Sequence, residues 1–436
     1  MTVCNTKRIE FARVKGKKLE AEFSGAAVTS DGGILLLGEA DRKMRLLEEV
    51  SRSISDVRDS SRIEHSLLTM LRQRVYGIAL GNEDLNDHDF LRNDPAWQAA
   101  IGQDANLASS PTLCRFENSV DRQAALEIHR VLVDRFIKSF KSAPKELVLD
   151  VDATDNPIHG EQVGKFFHGY YRGYCFLPLY VTCGDSVLVS YLRRSNRDAA
   201  RHSATVLSLL VKELRHAWPK VEITIRGDSG FCRRILMHWC ERNNVKYILG
   251  IAKNNRLLAE IRASMAAAEI EYDASEEKQR LFSSFEYAAE SWKHTRRIVA
   301  KAEHGDQGSN PRFIVTNLDG DPQALYDEVY CARGEMENRI KEQIEMFSDR
   351  TSCHNWWPNQ LRLLLSTLAY TLVNRIRTVG LAGTELARAQ VGTIRLKLLK
   401  VGAVVVRNTR RIRFLLSSTF PYQHLFETVA ARLQAT

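Results

Sequence analysis

Cysteine and proline are scarce in this 436-residue sequence, which has 8 cysteines and 10 prolines. Eight cysteines without any Cys-x-x-Cys pair are too few for a disulfide scaffold, so we expect reduced and mostly buried thiols. Ten prolines and 24 glycines also exclude a collagen-like or linker-like chain. With 44% hydrophobic and 26% charged residues, the composition is that of a globular protein with a substantial core.

Long apolar runs are missing as well. The most apolar long stretch, residues 361–373, is interrupted by Arg362 and is shorter than the roughly 20 residues that span a bilayer. The first twenty residues contain no apolar signal core. We therefore expect a cytoplasmic protein that does not associate with membranes.

Charge is unevenly distributed along the chain. The formal net charge is +9, and residues 380–436 contribute much of it, with nine Arg or Lys against two Glu. A basic excess of this kind favours a polyanionic partner such as nucleic acid. Arg410 and Arg411 are the adjacent pair in this basic C-terminal region, and we expect them to contact a DNA backbone.

The pattern of apolar residues changes along the chain. Helical spacing dominates residues 1–143, which we expect to be a mainly helical, DNA-binding region that ends before Pro144. Residues 144–252 then read β-β-β-α-β-α-β, which is the element order of an RNase H-like α/β core. The predicted strands are 146–153, 176–183, 186–192, 221–226 and 245–251.

The remaining third of the chain continues this core with one interruption. Residues 253–326 hold a helix and three strand candidates, and we interpret them as a β-rich insertion. Helical spacing resumes over residues 327–379, which we assign to the second part of the core. The predicted fold is therefore an RNase H-like core with a β-rich insertion, flanked by helical N- and C-terminal regions, the latter spanning 380–436.

Acidic residues stand at the ends of two predicted strands. Asp150 and Asp152 share one face of the first strand, and Asp228 follows the fourth strand within Arg226-Gly227-Asp228-Ser229-Gly230-Phe231. Such carboxylates are costly to bury unless a cation compensates them. In the ordinary alternative Asp152 ends a strand and Asp228 caps a helix. The first and fourth strands of an RNase H-like sheet are neighbours, so this fold would bring Asp152 and Asp228 together.

A third group lies on one predicted helix. Tyr330, Arg333, Glu337 and Lys341 are spaced by three, four and four residues, which places them on one helix face. Polar residues on this face exclude a core stripe. A surface ladder of ion pairs is the structural alternative.

These motifs resemble those of the bacterial insertion-sequence transposases of the DDE type, in the group marked by Tyr-x2-Arg-x3-Glu on the third catalytic helix. The matching pieces are Leu149 to Thr154, Arg226 to Phe231 and Tyr330 to Glu342, and the resemblance extends over nearly the whole chain. It implies that Asp152, Asp228 and Glu337 are the catalytic triad. Asp150 competes with Asp152 for the first position, and we favour Asp152 because it lies nearer the end of the strand.

The implied chemistry is DNA cleavage at the ends of an insertion element and strand transfer into target DNA. Attack on a phosphodiester is promoted by two Mg²⁺ ions, for which Mn²⁺ can substitute. Carboxylate oxygens suit Mg²⁺, whereas His and Cys would favour zinc. The expected partners are double-stranded DNA of the terminal inverted repeats and the target. Family resemblance further implies a dimer in the synaptic complex, associated with the bacterial nucleoid.

Further residues are candidates for DNA contact. Tyr330, Arg333 and Lys341 would touch phosphates near the cut, although Arg333 could instead orient Glu337. Trp292 lies among basic residues and could stack a base, or could simply be packed. Two other functions compete with a transposase: a non-catalytic DNA-binding protein derived from one, and an RNase H-like nuclease that cuts without joining.

Overall fold

The computed structural model describes residues 8–435 and divides into two compact units. The first unit comprises the described parts of Met1–Arg45, Arg58–Cys114 and Arg375–Thr436. The second comprises Leu46–Val57 and Arg115–Asn374. All residues predicted to form the acidic site belong to the second unit.

The strands are, in chain order, β1 (Ile9–Val14), β2 (Lys17–Ala21), β3 (Val28–Thr29), β4 (Glu146–Ala153), β5 (Asn156–Pro157), β6 (Phe166–His168), β7 (Gly173–Phe176), β8 (Leu179–Cys183), β9 (Ser186–Tyr191), β10 (Glu222–Gly227), β11 (Lys246–Ile251), β12 (Gln279–Tyr287), β13 (Arg296–Gly305), β14 (Gly308–Ser309), β15 (Arg312–Thr316), β16 (Ala403–Asn408) and β17 (Arg411–Leu416).

The α-helices are α1 (Ile34–Met44), α2 (Leu46–Ser53), α3 (Leu67–Leu80), α4 (His88–Leu91), α5 (Pro95–Ile101), α6 (Ser110–Ser119), α7 (Arg122–Lys138), α8 (Ser203–Ala217), α9 (Arg234–Arg242), α10 (Asn255–Glu260), α11 (Arg262–Ser275), α12 (Pro322–Ala324), α13 (Gly334–Glu345), α14 (Trp356–Arg375), α15 (Val391–Ile394) and α16 (Gln423–Ala435). Three π-helical turns span Leu325–Tyr330, Ile376–Gly380 and Arg395–Leu399, and short 3₁₀ turns include Ser229–Phe231 and Cys331–Arg333.

The first unit combines helices with two small antiparallel sheets. The predicted helix at 66–80 is present as α3, which begins at Ser66, whose side chain accepts a hydrogen bond from the Thr69 backbone N–H. However, the prediction of a purely helical C-terminal region is wrong. The β-branched run in β16 pairs with β17 and with β3, because such side chains fit a pleated strand better than a helix.

The second unit is built on one large mixed sheet with the strand order β12-β13-β15-β11-β10-β4-β8-β9, and β14 pairs with β13. β4, β10 and β11 run parallel to each other, and β8 and β9 are antiparallel beside β4. The predicted strand 146–153 coincides with β4, and each of the other four predicted core strands overlaps an observed strand. The small sheet β5-β7-β6 was not predicted, because its strands are only two to four residues long.

The two faces of the large sheet are covered by different elements. Leu149, Ile225 and Leu249 belong to the larger core, in which residues of α8 and α9 are also buried. Alternate residues point to the opposite face, where Ile248 packs in a smaller core with Leu325 and Tyr326. The helical segment that contains Tyr330 and Glu337 therefore lies on the same face as Asp150 and Asp152.

Segment 253–326, predicted to be a β-rich insertion, begins with the helices α10 and α11. Its strands extend the large sheet, since β15 pairs with β11 on one side and with β13 on the other. The strand candidates at 280–287, 296–302 and 313–316 all match observed strands. The domain boundaries that we drew from the sequence stay a prediction.

The longest helix is α14, which has 20 residues. Among residues 8–435, no helix combines the length and the apolar character needed to cross a membrane.

Candidate active site

Asp152 lies near the end of β4, and its side chain is 15% exposed. One of its oxygens, Oδ1, accepts a hydrogen bond from the Ala153 backbone N–H at 2.8 Å. Burial raises the pKa of this carboxyl to about 6; Arg333 opposes the rise, and the negative charges of Asp228 and Glu337 add to it. The three predicted acids are therefore close enough to affect one another electrostatically.

Asp228 reaches this place because β10 is the parallel neighbour of β4. Gly227 pairs with Val151, so the next residue on each strand, Asp228 and Asp152, lies at the same edge of the sheet. Asp228 begins the 3₁₀ turn Ser229–Phe231, and its Oδ1 accepts a hydrogen bond from the Gly230 backbone N–H at 2.8 Å. The predicted capping role and a position beside Asp152 are both present.

Arg333 connects the acids. Its Nη1 lies 3.0 Å from Asp152 Oδ2 and its Nη2 lies 3.1 Å from Glu337 Oε1. Burial lowers the pKa of this guanidinium, but Asp152, Asp228 and Glu337 raise it, and the net shift is upward. The structure thus brings the three predicted acids around one buried cation, although they come from a strand, a turn and a helix.

Asp150, the competing first acid, has a different environment. It is 4% exposed, and both of its oxygens accept hydrogen bonds from Arg226, one of them from Nη2 at 2.8 Å. Burial raises the pKa of Asp150, and Arg226 opposes that rise. The Arg226 Nη1 also donates to the Val329 carbonyl at 2.6 Å. Asp150 therefore anchors β4 to β10 and, through Arg226, to the residue that precedes Tyr330.

Sequence reasoning missed this role of Arg226. A signal was present, since an arginine on a buried strand needs a carboxylate partner. Which carboxylate it would find depends on the pairing of β4 with β10, which the motif Arg226-Gly227-Asp228 does not encode.

Tyr330 ends the π-helical turn Leu325–Tyr330, a type of turn that is frequent at functional sites. Its hydroxyl lies so close to β11 that a Cβ added to Gly250 would come within 2.6 Å of it. Burial raises the pKa of the Tyr330 phenol, and the charge of Asp228 adds to the rise. Tyr330 is thus fixed beside the acids.

The other predicted DNA contacts lie in different surroundings. Lys341 is exposed on α13, one turn beyond Glu337. Trp292 is partly buried, with its ring 5.7 Å from that of Tyr287 and 5.0 Å from the Arg296 guanidinium, so its packing role is the one observed. Arg410 and Arg411 are exposed at the turn between β16 and β17, in the first unit.

The acids fit a hard divalent cation by their chemistry. Carboxylate oxygens are the ligands that such cations prefer, and the raised pKa of Asp152 reflects negative charge that a cation would relieve. As the side chains of residues 8–435 are placed, no three His, Cys, Asp or Glu form a metal-holding group. Arg333 supplies the positive charge in this arrangement.

Together, these features define a mixed α/β protein with a candidate acidic active site at the edge of its large sheet. The family model for the transposase DDE domain group 1 matches residues 11–436, so the chain belongs to this family of transposases. This match confirms the DDE transposase family that the sequence motifs predicted.

Among solved structures, the chain is similar to a piggyBac transposase seen by cryo-EM in a synaptic complex with hairpin DNA. The identity is 11% and the TM-score is 0.43, over 86% of this chain and 83% of the other. No curated protein matches the sequence.

Proposed function

We propose that this transposase cleaves DNA at the ends of an insertion element and joins those ends to target DNA, with Asp152, Asp228 and Glu337 as its catalytic acids. The observation that carries the proposal is the contact of Arg333 with both Asp152 and Glu337. Electrostatic coupling between Asp152 and Asp228 brings the third acid into the same set.

The strand order supports an RNase H-like core. The run β11-β10-β4-β8-β9, with three parallel strands followed by two antiparallel ones, matches the β-β-β-α-β-α-β order predicted for residues 144–252. We propose that residues 327–379 complete this core with the helix of the third acid. Residues 253–326 then form the insertion between the second and third acids.

Asp152, Asp228 and Glu337 would hold the divalent cations, for which we propose two Mg²⁺ ions, replaceable by Mn²⁺. Bound Mg²⁺ would supply activation of the attacking hydroxyl and stabilisation of the leaving oxygen. Asp150 is left out of this set because Arg226 already occupies both of its oxygens.

The chain's own residues perform the remaining tasks. Asp228 is oriented by the Gly230 N–H, which leaves its other oxygen available. Glu337, whose side chain is 54% exposed, can rotate away from Arg333. A released Arg333 offers forked donors that match a phosphate, and Lys341 adds an exposed charge on the same helix.

The proposed partners are the terminal inverted repeats of the element and the target duplex, held by a dimer. Tyr330, Arg333 and Lys341 would contact phosphates near the cut. Arg410 and Arg411, exposed on the β16–β17 turn, would contact the backbone elsewhere. Trp292 is omitted, because Tyr287 and Arg296 already pack on its ring.

The test is a cleavage assay on duplexes that carry both ends of the genomic segment encoding this protein, with Mg²⁺ or with EDTA. We expect the wild type to cut and join only with Mg²⁺, and Asp228→Asn to abolish both reactions while it still binds DNA. The matched control is Asp319→Asn, which removes the same charge from an exposed loop of the same unit.

The outcomes separate the competing functions. Cutting by Asp228→Asn at the wild-type rate would overturn the assignment of the acids. Breaks without target-joined products would identify a nuclease. DNA binding with no cutting by the wild type would identify a non-catalytic DNA-binding protein.

A further inference from the structure

A basic cavity of about 400 Å³ lies in the second unit, between α9 and the chain that leads into β13. None of the three predicted acids lines it. Most of its polar wall is cationic or titratable, and we call the following six residues the basic cleft: Arg234, His238, Arg242, Lys293, His294 and Arg296.

One wall of the basic cleft is a single stripe of α9. Arg234, His238 and Arg242 are each four residues apart, so they lie above one another on the helix and are all exposed. Within residues 8–435 neither arginine has an ion pair, and the same holds for Lys293 on the opposite wall. Like charges stacked in this way repel one another, which favours an anion between the walls.

The floor of the cleft is a buried arginine with a spare donor. Arg296 is 5% exposed, and its Nε and Nη2 donate to Glu241 at 2.6 and 3.0 Å. The remaining nitrogen, Nη1, is buried and has no hydrogen-bond partner in the described part of the chain. Leaving such a donor unmatched costs about 1–3 kcal/mol, so the cleft offers an oxygen-bearing ligand a site that is already directed.

Glu241 does not neutralise the cleft. Its carboxylate also receives hydrogen bonds or ion contacts from Tyr247, at 2.9 Å, and from His294, at 3.2 Å, so its lone pairs are used within the floor. Four Arg or Lys side chains line the cleft or its floor against this single acid. The surplus of positive charge is what a phosphate would complement.

We propose that the basic cleft binds backbone phosphates of duplex DNA, at a place separate from the three acids. A row of phosphates fits better than one small anion, because Arg234 and Arg242 are eight residues apart, or about 12 Å along the helix. Arg296 would bind one phosphate at the floor, and the exposed arginines would follow the strand on either side. The choice of DNA as the polyanion rests on the proposed function.

The test removes the three exposed cations and leaves the floor intact, in the variant Arg234→Ala/Arg242→Ala/Lys293→Ala. Binding of the full-length protein to a labelled random-sequence duplex is measured by fluorescence anisotropy in EDTA over a series of KCl concentrations. Each lost phosphate contact lowers the slope of log K against log salt by about 0.9. We expect a slope that is shallower by about 2 and affinity weaker by about tenfold or more at 50 mM KCl.

The matched control removes three other exposed cations of the same unit, for the same change in net charge: Lys212→Ala/Lys220→Ala/Arg262→Ala. We expect its slope to equal that of the wild type, and both variants to unfold at the wild-type temperature because all six side chains are exposed. If the cleft variant and the control share one slope and one affinity, the proposal is overturned.

A second arm distinguishes DNA from free phosphate. Inorganic phosphate is titrated calorimetrically into the wild type and the cleft variant. Phosphate binding that the variant loses, without a change in the DNA slope, would make the cleft a free-anion site and overturn the proposal. Because no arm requires cleavage, a protein that never cuts DNA but shows the slope change keeps this inference and refutes the proposed function instead.

Discussion

Replacing Asp152 with asparagine should make the metal-free protein more stable at neutral and alkaline pH, although it removes a proposed catalytic acid. The Asp152 carboxylate is 15% exposed and carries an unfavourable charge, because burial and the neighbouring acids outweigh the contact with Arg333. Asparagine removes that charge and keeps an oxygen that can accept from Arg333 at the same place.

The size of the effect follows from the pKa of Asp152. Folding raises it from an ordinary value of 3.8 to about 6, which corresponds to about 3 kcal/mol as an upper bound. Since the folded state then binds the proton more tightly than the unfolded state, the stability of the wild type is highest below about pH 4. It falls as pH rises through 4 to 6, and the full cost is present above about pH 7.

We therefore expect Asp152→Asn to gain up to about 3 kcal/mol in free energy of unfolding at pH 8 and almost nothing at pH 4. The measurement is urea unfolding in EDTA at both pH values, with Asp319→Asn as the control for loss of an exposed charge. Adding Mg²⁺ should stabilise the wild type and not the variant, since only a bound folded state gains from ligand. A variant that is less stable than the wild type at pH 8, or equally stabilised at both pH values, would refute this reasoning.

Three further changes probe the framework around the site. Asp150→Ala should destabilise the fold by about 3–5 kcal/mol in chemical unfolding, because it leaves Arg226 buried without its carboxylate; a loss below about 1 kcal/mol would show that the pair is not structural. Gly250→Ala should cost about 1–3 kcal/mol and slow cleavage, because the new Cβ would lie 2.6 Å from the Tyr330 hydroxyl; wild-type kinetics would show that the position of this tyrosine is unimportant. Ser66→Ala should lower the unfolding free energy by about 1 kcal/mol through loss of the α3 cap without altering cleavage, and unchanged stability would contradict the capping role.

Much of the second unit could be predicted from local patterns. Alternating apolar residues identify β4 over the same eight residues that the structure shows, and the same alternation places Asp150 and Asp152 on one face. The spacing of Arg333 and Glu337 brings them within one turn of each other, as observed. These features depend on neighbours in sequence, so sequence is sufficient for them.

Other features could not be predicted because local signals were weak or contradictory. The β16–β17 hairpin lies in a basic segment whose charges suggested a solvated, helical tail, and the pairing with β3 is a contact far along the chain. For Trp292 the sequence shows basic neighbours, whereas the structure shows that one of them, Arg296, packs on the ring.

The amino-acid sequence by itself determined which residue types are available for chemistry and on which elements they stand, because helix and strand periodicity are local properties. Only the tertiary structure decided between Asp150 and Asp152. Both point to the same side of β4, but the pairing with β10 places Arg226 directly opposite Asp150 and consumes its oxygens. Asp152, two residues further, lies beside the end of β10 and faces Arg333 and the other acids, because strand pairing rather than sequence order sets which charges meet.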